Sequence, residues 1–275
     1  MTDARPTLTF RGVRGSMPVS GSATTRHGGH TLCIDINTGP AQVVLIDAGT
    51  GLTKLHREGS PHGPTDYHVF LTHYHWDHIQ GLLFFRPLFE AENSFTFYGH
   101  QWEGMSSKDA IEGALRPPWF PVSIEDTAAQ KTYITVEKSE FELGDLTITA
   151  APLRHPQGVT AYRVDGPEKS LVVATDCERG EIAADENLRR LASGADILVH
   201  DAQYSPEEYA DHYVGWGHST WAQAAQAAHE AGVKQLILVS HDPARTDDEI
   251  DKLVELAKGS FPDTRAAFEG MQIEL

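Results

Sequence analysis

Between residues 72 and 78 the sequence THYHWDH places His73, His75, Asp77 and His78, three imidazoles and a carboxylate, in one short segment. In a His-x-His-x-Asp-His loop the first two histidines stand two apart on an extended turn, so their rings can point to one side. Asp77 and His78 enter the next turn and face a neighbouring point. Neutral imidazole nitrogen and carboxylate oxygen suit zinc first, with manganese or iron as alternatives. One such loop can serve two ions a few ångströms apart. Closed structural zinc sites favour cysteine, so a cysteine-free set reads as an open site that keeps water at the metal. The chain has 15 histidines, enough for accidental neighbours, and an isolated one would be read as a satisfied core residue. Spacing carries the argument here.

The segment directly follows Tyr67-His68-Val69-Phe70-Leu71-Thr72, a run with the pattern of a strand. Strands are predicted at 7–13, 31–36, 42–46, 68–71, 94–98, 146–151, 159–164, 170–174, 197–200, 235–240 and 271–274, and helices at 51–57, 107–113, 187–192, 220–231 and 247–258. Ser219 or Thr220 would cap the fourth helix and Gly232 would stop it, while Thr246 with Glu249 has capping-box spacing for the fifth. Strands and helices mixed along the chain indicate α/β layers. His73, His155, Asp176, Asp201 and His241 each fall at the C-terminal end of a different predicted strand, where α/β layers carry their sites.

The 275 residues contain no linker-like tract, so one domain over 1–275 is expected. An apolar fraction of 40% supports a sizeable core. Neither a membrane-spanning run nor a signal pattern is evident, and a cytoplasmic protein without membrane contact is expected. Cys33 and Cys177 form no disulfide framework or Cys-x-x-Cys motif. With 22 Lys and Arg against 39 Asp and Glu, the net charge of −17 opposes a long phosphate backbone and makes nucleic acid a disfavoured partner.

THYHWDH, RHP at His155, TD at Asp176 and SHD at His241 resemble, in type and order, the ligand motifs of the metallo-β-lactamase-fold hydrolases. The likeness runs from VVLIDAGTG at 43 to SHDP at 243. It implies an α/β fold, a four-layer αββα sandwich with two divalent metal ions along one edge. By the same resemblance His73, His75 and His155 would hold the first metal and Asp77, His78 and His241 the second, with Asp176 bridging. Asp47 in LIDAGTG matches a position that orients the ligand loop, and it could equally cap its own turn. Relatives of this kind also allow a homodimer.

The fold alone leaves lactams, lactones, thioesters and phosphodiesters open. VGWGHST at 214–220 and ILVHDAQY at 197–204 resemble the Gly-His-Ser-Thr and His-Glu-Ala-Thr motifs of the phosphodiesterase branch, which includes tRNA 3′ endonucleases and cyclic phosphodiesterases. That resemblance assigns leaving-group assistance to His218 and its orientation to Asp201, with Asp where the branch has Glu. Asp77, His218 and Asp201 are the catalytic candidates, and His200 is read as a buried structural residue. Residues 177–213 are acidic and leave no basic arm for tRNA. A metal-dependent phosphoric diester hydrolase acting on a small cyclic phosphodiester, such as a cyclic nucleotide, is therefore expected. A tRNA 3′-end endonuclease and a lactone hydrolase are the alternatives, with a non-catalytic nucleotide sensor further off. Trp119 and Phe120 could form a lid, whereas Tyr74 and Trp76 are expected to pack behind the metal loop.

Overall fold

The computed structural model describes residues 5–39, 41–58, 63–137 and 140–275; residues 1–4, part of the expected single domain, lie outside them. Among the described residues there are fourteen strands: β1 Thr7–Gly12, β2 Cys33–Gly39, β3 Gln42–Ile46, β4 Asp66–Phe70, β5 Ser94–Gly99, β6 Gln130–Thr135, β7 Glu140–Leu143, β8 Leu146–Leu153, β9 Val159–Asp165, β10 Ser170–Ala174, β11 Ile197–Asp201, β12 Gln235–Val239, β13 Thr264–Ala266 and β14 Gln272–Glu274. The helices are α1 Leu52–Glu58, α2 Trp76–Ile79, α3 Ser107–Ala114, α4 Ile182–Ala192, α5 Pro206–Glu208, α6 Trp221–Ala231 and α7 Asp247–Lys258.

The strands form two seven-stranded sheets, in the orders β14-β1-β2-β3-β4-β5-β6 and β13-β12-β11-β10-β9-β8-β7. Each sheet is antiparallel in one half and parallel in the other, the parallel runs being β3-β4-β5-β6 and β10-β11-β12-β13. Side chains alternate across the central strands, as a sheet buried on both faces requires. In β12, Ile237 and Val239 enter the core between the sheets while Leu236 and Leu238 pack outward among residues of α6 and α7. In β4, Phe70 faces the inner core, and Tyr67 and Val69 face the outer cluster with Leu52 and Leu55 of α1. These three apolar layers define the expected four-layer αββα sandwich.

Predicted and observed elements differ at the margins. β6, β7 and β13 were not expected from the sequence; all three are edge strands, and β6 is polar and partly exposed along its length. Edge strands lack the two-sided apolar signal that marks central ones. Helix α4 begins five residues before the predicted start, with Ile182 exposed in its first turn. Thr220, rather than Ser219, caps α6 through a capping box, and Gly232 adopts the left-handed conformation at its end. The capping box of Thr246 and Glu249 opens α7 as expected.

Three parallel strands end in the same way. Asp47 after β3, Asp176 after β10 and Ser240 after β12 have φ of 58°, 47° and 57°. Non-glycine residues in this region cost roughly 1 kcal/mol or more and persist where the surroundings hold them. Here the side chains at the bends are put to use.

Candidate active site

The bends bring the predicted residues to one edge of the sandwich. Asp47, fully buried, accepts from the Thr72 amide at 2.8 Å, the Thr72 hydroxyl at 2.8 Å and His78 Nδ1 at 2.7 Å. It thereby clamps both ends of the metal loop, the orienting role its position suggested. With its hydroxyl proton spent on Asp47, Thr72 accepts from His73 Nδ1 at 3.1 Å. His73 Nε2 then carries a lone pair, is buried, and finds no hydrogen-bond partner.

Gly217 accepts from His155 Nδ1 at 2.8 Å, and Gln157 Oε1 accepts from His75 Nε2 at 3.0 Å. The remaining nitrogens, His155 Nε2 and His75 Nδ1, lie 3.2 Å apart. Burial lowers the His155 pKa to about 4 and holds His73 well below the usual imidazole range. Both rings are thus neutral, the form that binds metals.

Around His78 the charge is reversed. Its Nε2 lies 3.1 Å from Asp77 Oδ2 and 3.1 Å from Asp176 Oδ2. Burial opposes the imidazolium, but Asp77, Asp176 and Asp47 together raise its pKa well above the ordinary value. Asp176 also accepts at Oδ1 from the hydroxyls of Thr175, at 2.7 Å, and Ser240, at 2.8 Å, which fixes Oδ2 toward His78. Asp77 Oδ2 accepts from the Ser16 amide at 2.8 Å, a contact between the loop after β1 and the histidine-rich loop that sequence reading missed.

Three groups of potential ligand atoms result among the described residues: His73 with His75 and His155, His73 with His78 and Asp176, and Asp176 with Asp201 and His218. The donor set fits divalent cations on three counts: an orphaned imidazole nitrogen, two imidazole lone pairs facing each other, and carboxylates packed around one histidine. Nor does any Lys or Arg stand among the described residues lining the cleft above. Asp77, though beside His78, and His241 are in none of the three groups. His241 Nε2 lies 3.1 Å from the Ala267 carbonyl and its ring stacks edge-on to His27, while burial lowers its pKa to about 3. As Nε2–H is the donor to that carbonyl, Nδ1 is the nitrogen left for a ligand role.

His218 and Asp201 are joined as expected, with Nδ1 2.7 Å from Oδ2. Asp201 is fully buried and also accepts from the Ser219 amide at 2.9 Å, so the shorter carboxylate still reaches the histidine. Burial would lower the His218 pKa, but Asp201 and Asp176 raise it to about 9. His200 is buried and bonds its Nδ1 to the Asp201 carbonyl at 2.7 Å, in keeping with a structural role. A cleft of about 500 Å³ joins His75, Asp77, His155, Asp176 and His218, and Ser16, Tyr74, Trp76 and Trp216 also line it.

The aromatic residues divide differently from expectation. Tyr74 is half-buried: it packs on the outer core and donates to the His100 carbonyl at 2.5 Å, while part of it lines the cleft. Trp76 is instead 51% exposed and faces the cleft, because as the N1 residue of α2 it projects away from the core that receives Ile79. Phe120 packs on Phe84, whereas Trp119 lines a neighbouring depression with Trp76 and Met105.

Residues 42–241 match the family described as beta-lactamase superfamily domain. The chain belongs to this superfamily. A ribonuclease Z from Bacillus velezensis is 30% identical over 265 residues, covering 74% of this chain and 80% of the relative. A second, from Bacillus licheniformis, is 29% identical over 261 residues, with 75% and 80% covered. Among solved structures, the metallo-beta-lactamase fold protein YhfI from Bacillus subtilis superposes with a TM-score of 0.75 at 22% identity, over 99% of this chain and all (100%) of that one. A diphosphatase from the PhnP family gives 0.74 at 20%, over 98% of each. The predicted class, a metal-dependent phosphoric diester hydrolase, is borne out. Among the described residues no helix is long and apolar enough to cross a membrane.

Proposed function

We propose that this chain hydrolyses a phosphodiester at the 3′ end of an RNA precursor, with zinc in the site and His218 assisting the departing alkoxide. Similarity to ribonucleases Z supports the substrate class and reopens nucleic acid, which the net charge had set aside. The observation that carries the phosphodiester chemistry is the buried His218–Asp201 pair beside the ligand cluster. Lactone or thioester cleavage has no use for it.

His73, His75 and His155 would hold one cation; Asp77, His78 and His241, the last through Nδ1, would hold the other, with Asp176 between them. Bound there, divalent cations lower the pKa of water toward neutrality and neutralise charge on the phosphate. The protein's own residues do the rest. Asp201 fixes the His218 ring and favours its imidazolium, so that at neutral pH the ring has a proton to give or share with the leaving oxygen. Asp47, Thr72 and Ser16 hold the metal loop, limiting reorganisation as charge develops.

One observation favours a second substrate. The net charge of −17 and the acidic segment over 177–213, filled by α4, β11 and α5, repel a long polyanion and favour a small cyclic phosphodiester such as a cyclic nucleotide. A single experiment separates the two: zinc- or manganese-loaded protein is given a tRNA precursor with a 3′ extension, bis-p-nitrophenyl phosphate, and a panel of 2′,3′- and 3′,5′-cyclic nucleotides. Salt-sensitive cleavage of the precursor is expected. Turnover of a cyclic nucleotide with the precursor left intact would replace RNA by the small ester, and turnover of no phosphodiester would sink both.

A further inference from the structure

Two large exposed aromatic side chains line the same cleft as the ligand cluster. Trp76 projects from the start of α2 on one sheet and is 51% exposed; Trp216 projects from the loop before α6 on the other and is 60% exposed.

Trp216 is held out by a buried support. The Glu178 carboxylate, two residues beyond Asp176, accepts from the amides on either side of the tryptophan, Gly215 at 2.7 Å and Gly217 at 3.0 Å, and from the Tyr209 hydroxyl at 2.7 Å. Gly217, at φ +92°, admits no side chain, since a Cβ there would meet the His155 ring at 2.2 Å. The indole also meets Tyr213 edge-on at 5.4 Å, and Tyr213 stacks on Tyr204 at 4.2 Å. A tryptophan so fixed, yet open to solvent, loses little side-chain entropy on meeting a planar ligand.

We propose that Trp216, together with Trp76, forms a nucleobase subsite that stacks on the base next to the scissile phosphate, and that Glu178 is the residue positioning it. This rests on the phosphodiesterase reading and specifies how the organic part of the ester is chosen. No Lys or Arg is among the described residues of the cleft, so the charge-neutral π face is what the protein itself offers the substrate beside its phosphate. Stacking of this kind tolerates any base, and both RNA and small nucleotide esters present one.

The test compares thymidine 5′-(p-nitrophenyl phosphate), which carries a base, with methyl p-nitrophenyl phosphate, which does not, in the metal-loaded protein. In Trp216→Ala the preference for the thymidine ester, taken as the ratio of kcat/KM values, is expected to fall about tenfold, with Trp216→Phe restoring most of it. An unchanged ratio, or an equal fall on both esters, would overturn the subsite. In parallel, thymidine 5′-monophosphate is titrated while tryptophan emission is followed; saturable quenching that weakens in Trp216→Phe is expected. Quenching without turnover of either ester would refute the hydrolase reading and leave the subsite standing, whereas turnover without quenching would refute the subsite alone.

Discussion

His155 Nε2 and His75 Nδ1 face each other at 3.2 Å with their protons committed elsewhere, to Gly217 and Gln157. Two lone pairs at that separation repel, and a cation between them turns repulsion into binding. Chelation is therefore expected to lower the thermal midpoint and zinc to restore it, by mass action on the folded state. In His155→Ala, elemental analysis should show the loss of one metal while the other stays. Full retention of metal would remove His155 from the ligand set.

Asp201 sets when His218 carries its proton. Wild-type activity should decline as pH rises through about 9, where the imidazolium is lost. Asp201→Asn removes a charge that raises this pKa, so the basic limb of the pH–rate profile should move to lower pH while metal content is unchanged. A basic limb that stays in place would separate His218 from the rate.

Removing the Asp47 carboxylate strands the Thr72 amide and His78 Nδ1 in a fully buried setting. Breaking such a pair typically costs about 3 kcal/mol. Asp47→Ala should lose about that much in urea unfolding and bind metal more weakly, although Asp47 belongs to none of the candidate ligand groups. Unchanged stability would mean that water replaces the carboxylate.

Glu178→Ala should free the amides of Gly215 and Gly217, a cost of about 1–3 kcal/mol for groups left unsatisfied. Faster hydrogen exchange at those amides and a higher KM for a nucleotide ester are expected, with Glu178→Gln intermediate. Slow exchange in Glu178→Ala would show that the loop is held from elsewhere.

Much of the candidate site was legible because its residues sit at strand ends, where a local apolar run and a polar residue after it announce each other. His73, Asp176 and Asp201 were found in that way, and His218 by its motif. What the sequence hid were contacts between distant segments. The Ser16 amide reaches Asp77 from the loop after β1, and Glu178 reaches Gly215 from the loop after β10; each pair is far apart in the chain, and neither spacing nor residue type signals such a meeting. The orientation of His241 belongs to the same class, since Ala267 follows β13, an edge strand too short and polar to be read. Trp76 was misjudged because neighbouring ligands suggested a packed environment, whereas the turn into α2 points its side chain outward.

The strand that completes the first sheet comes last. β14 pairs with β1, so Glu274 lies opposite Thr7 across almost the entire described chain. On a ribosome the first six strands of that sheet would emerge with one flank of β1 uncovered, and it would stay so until the second sheet had been made. Closing so long a loop carries an entropic cost that local structure cannot offset early, and topologies of this kind fold slowly. The candidate cluster takes His73 and His75 from the end of one sheet and His155 from the end of the other, so it exists only once the two sheets have met.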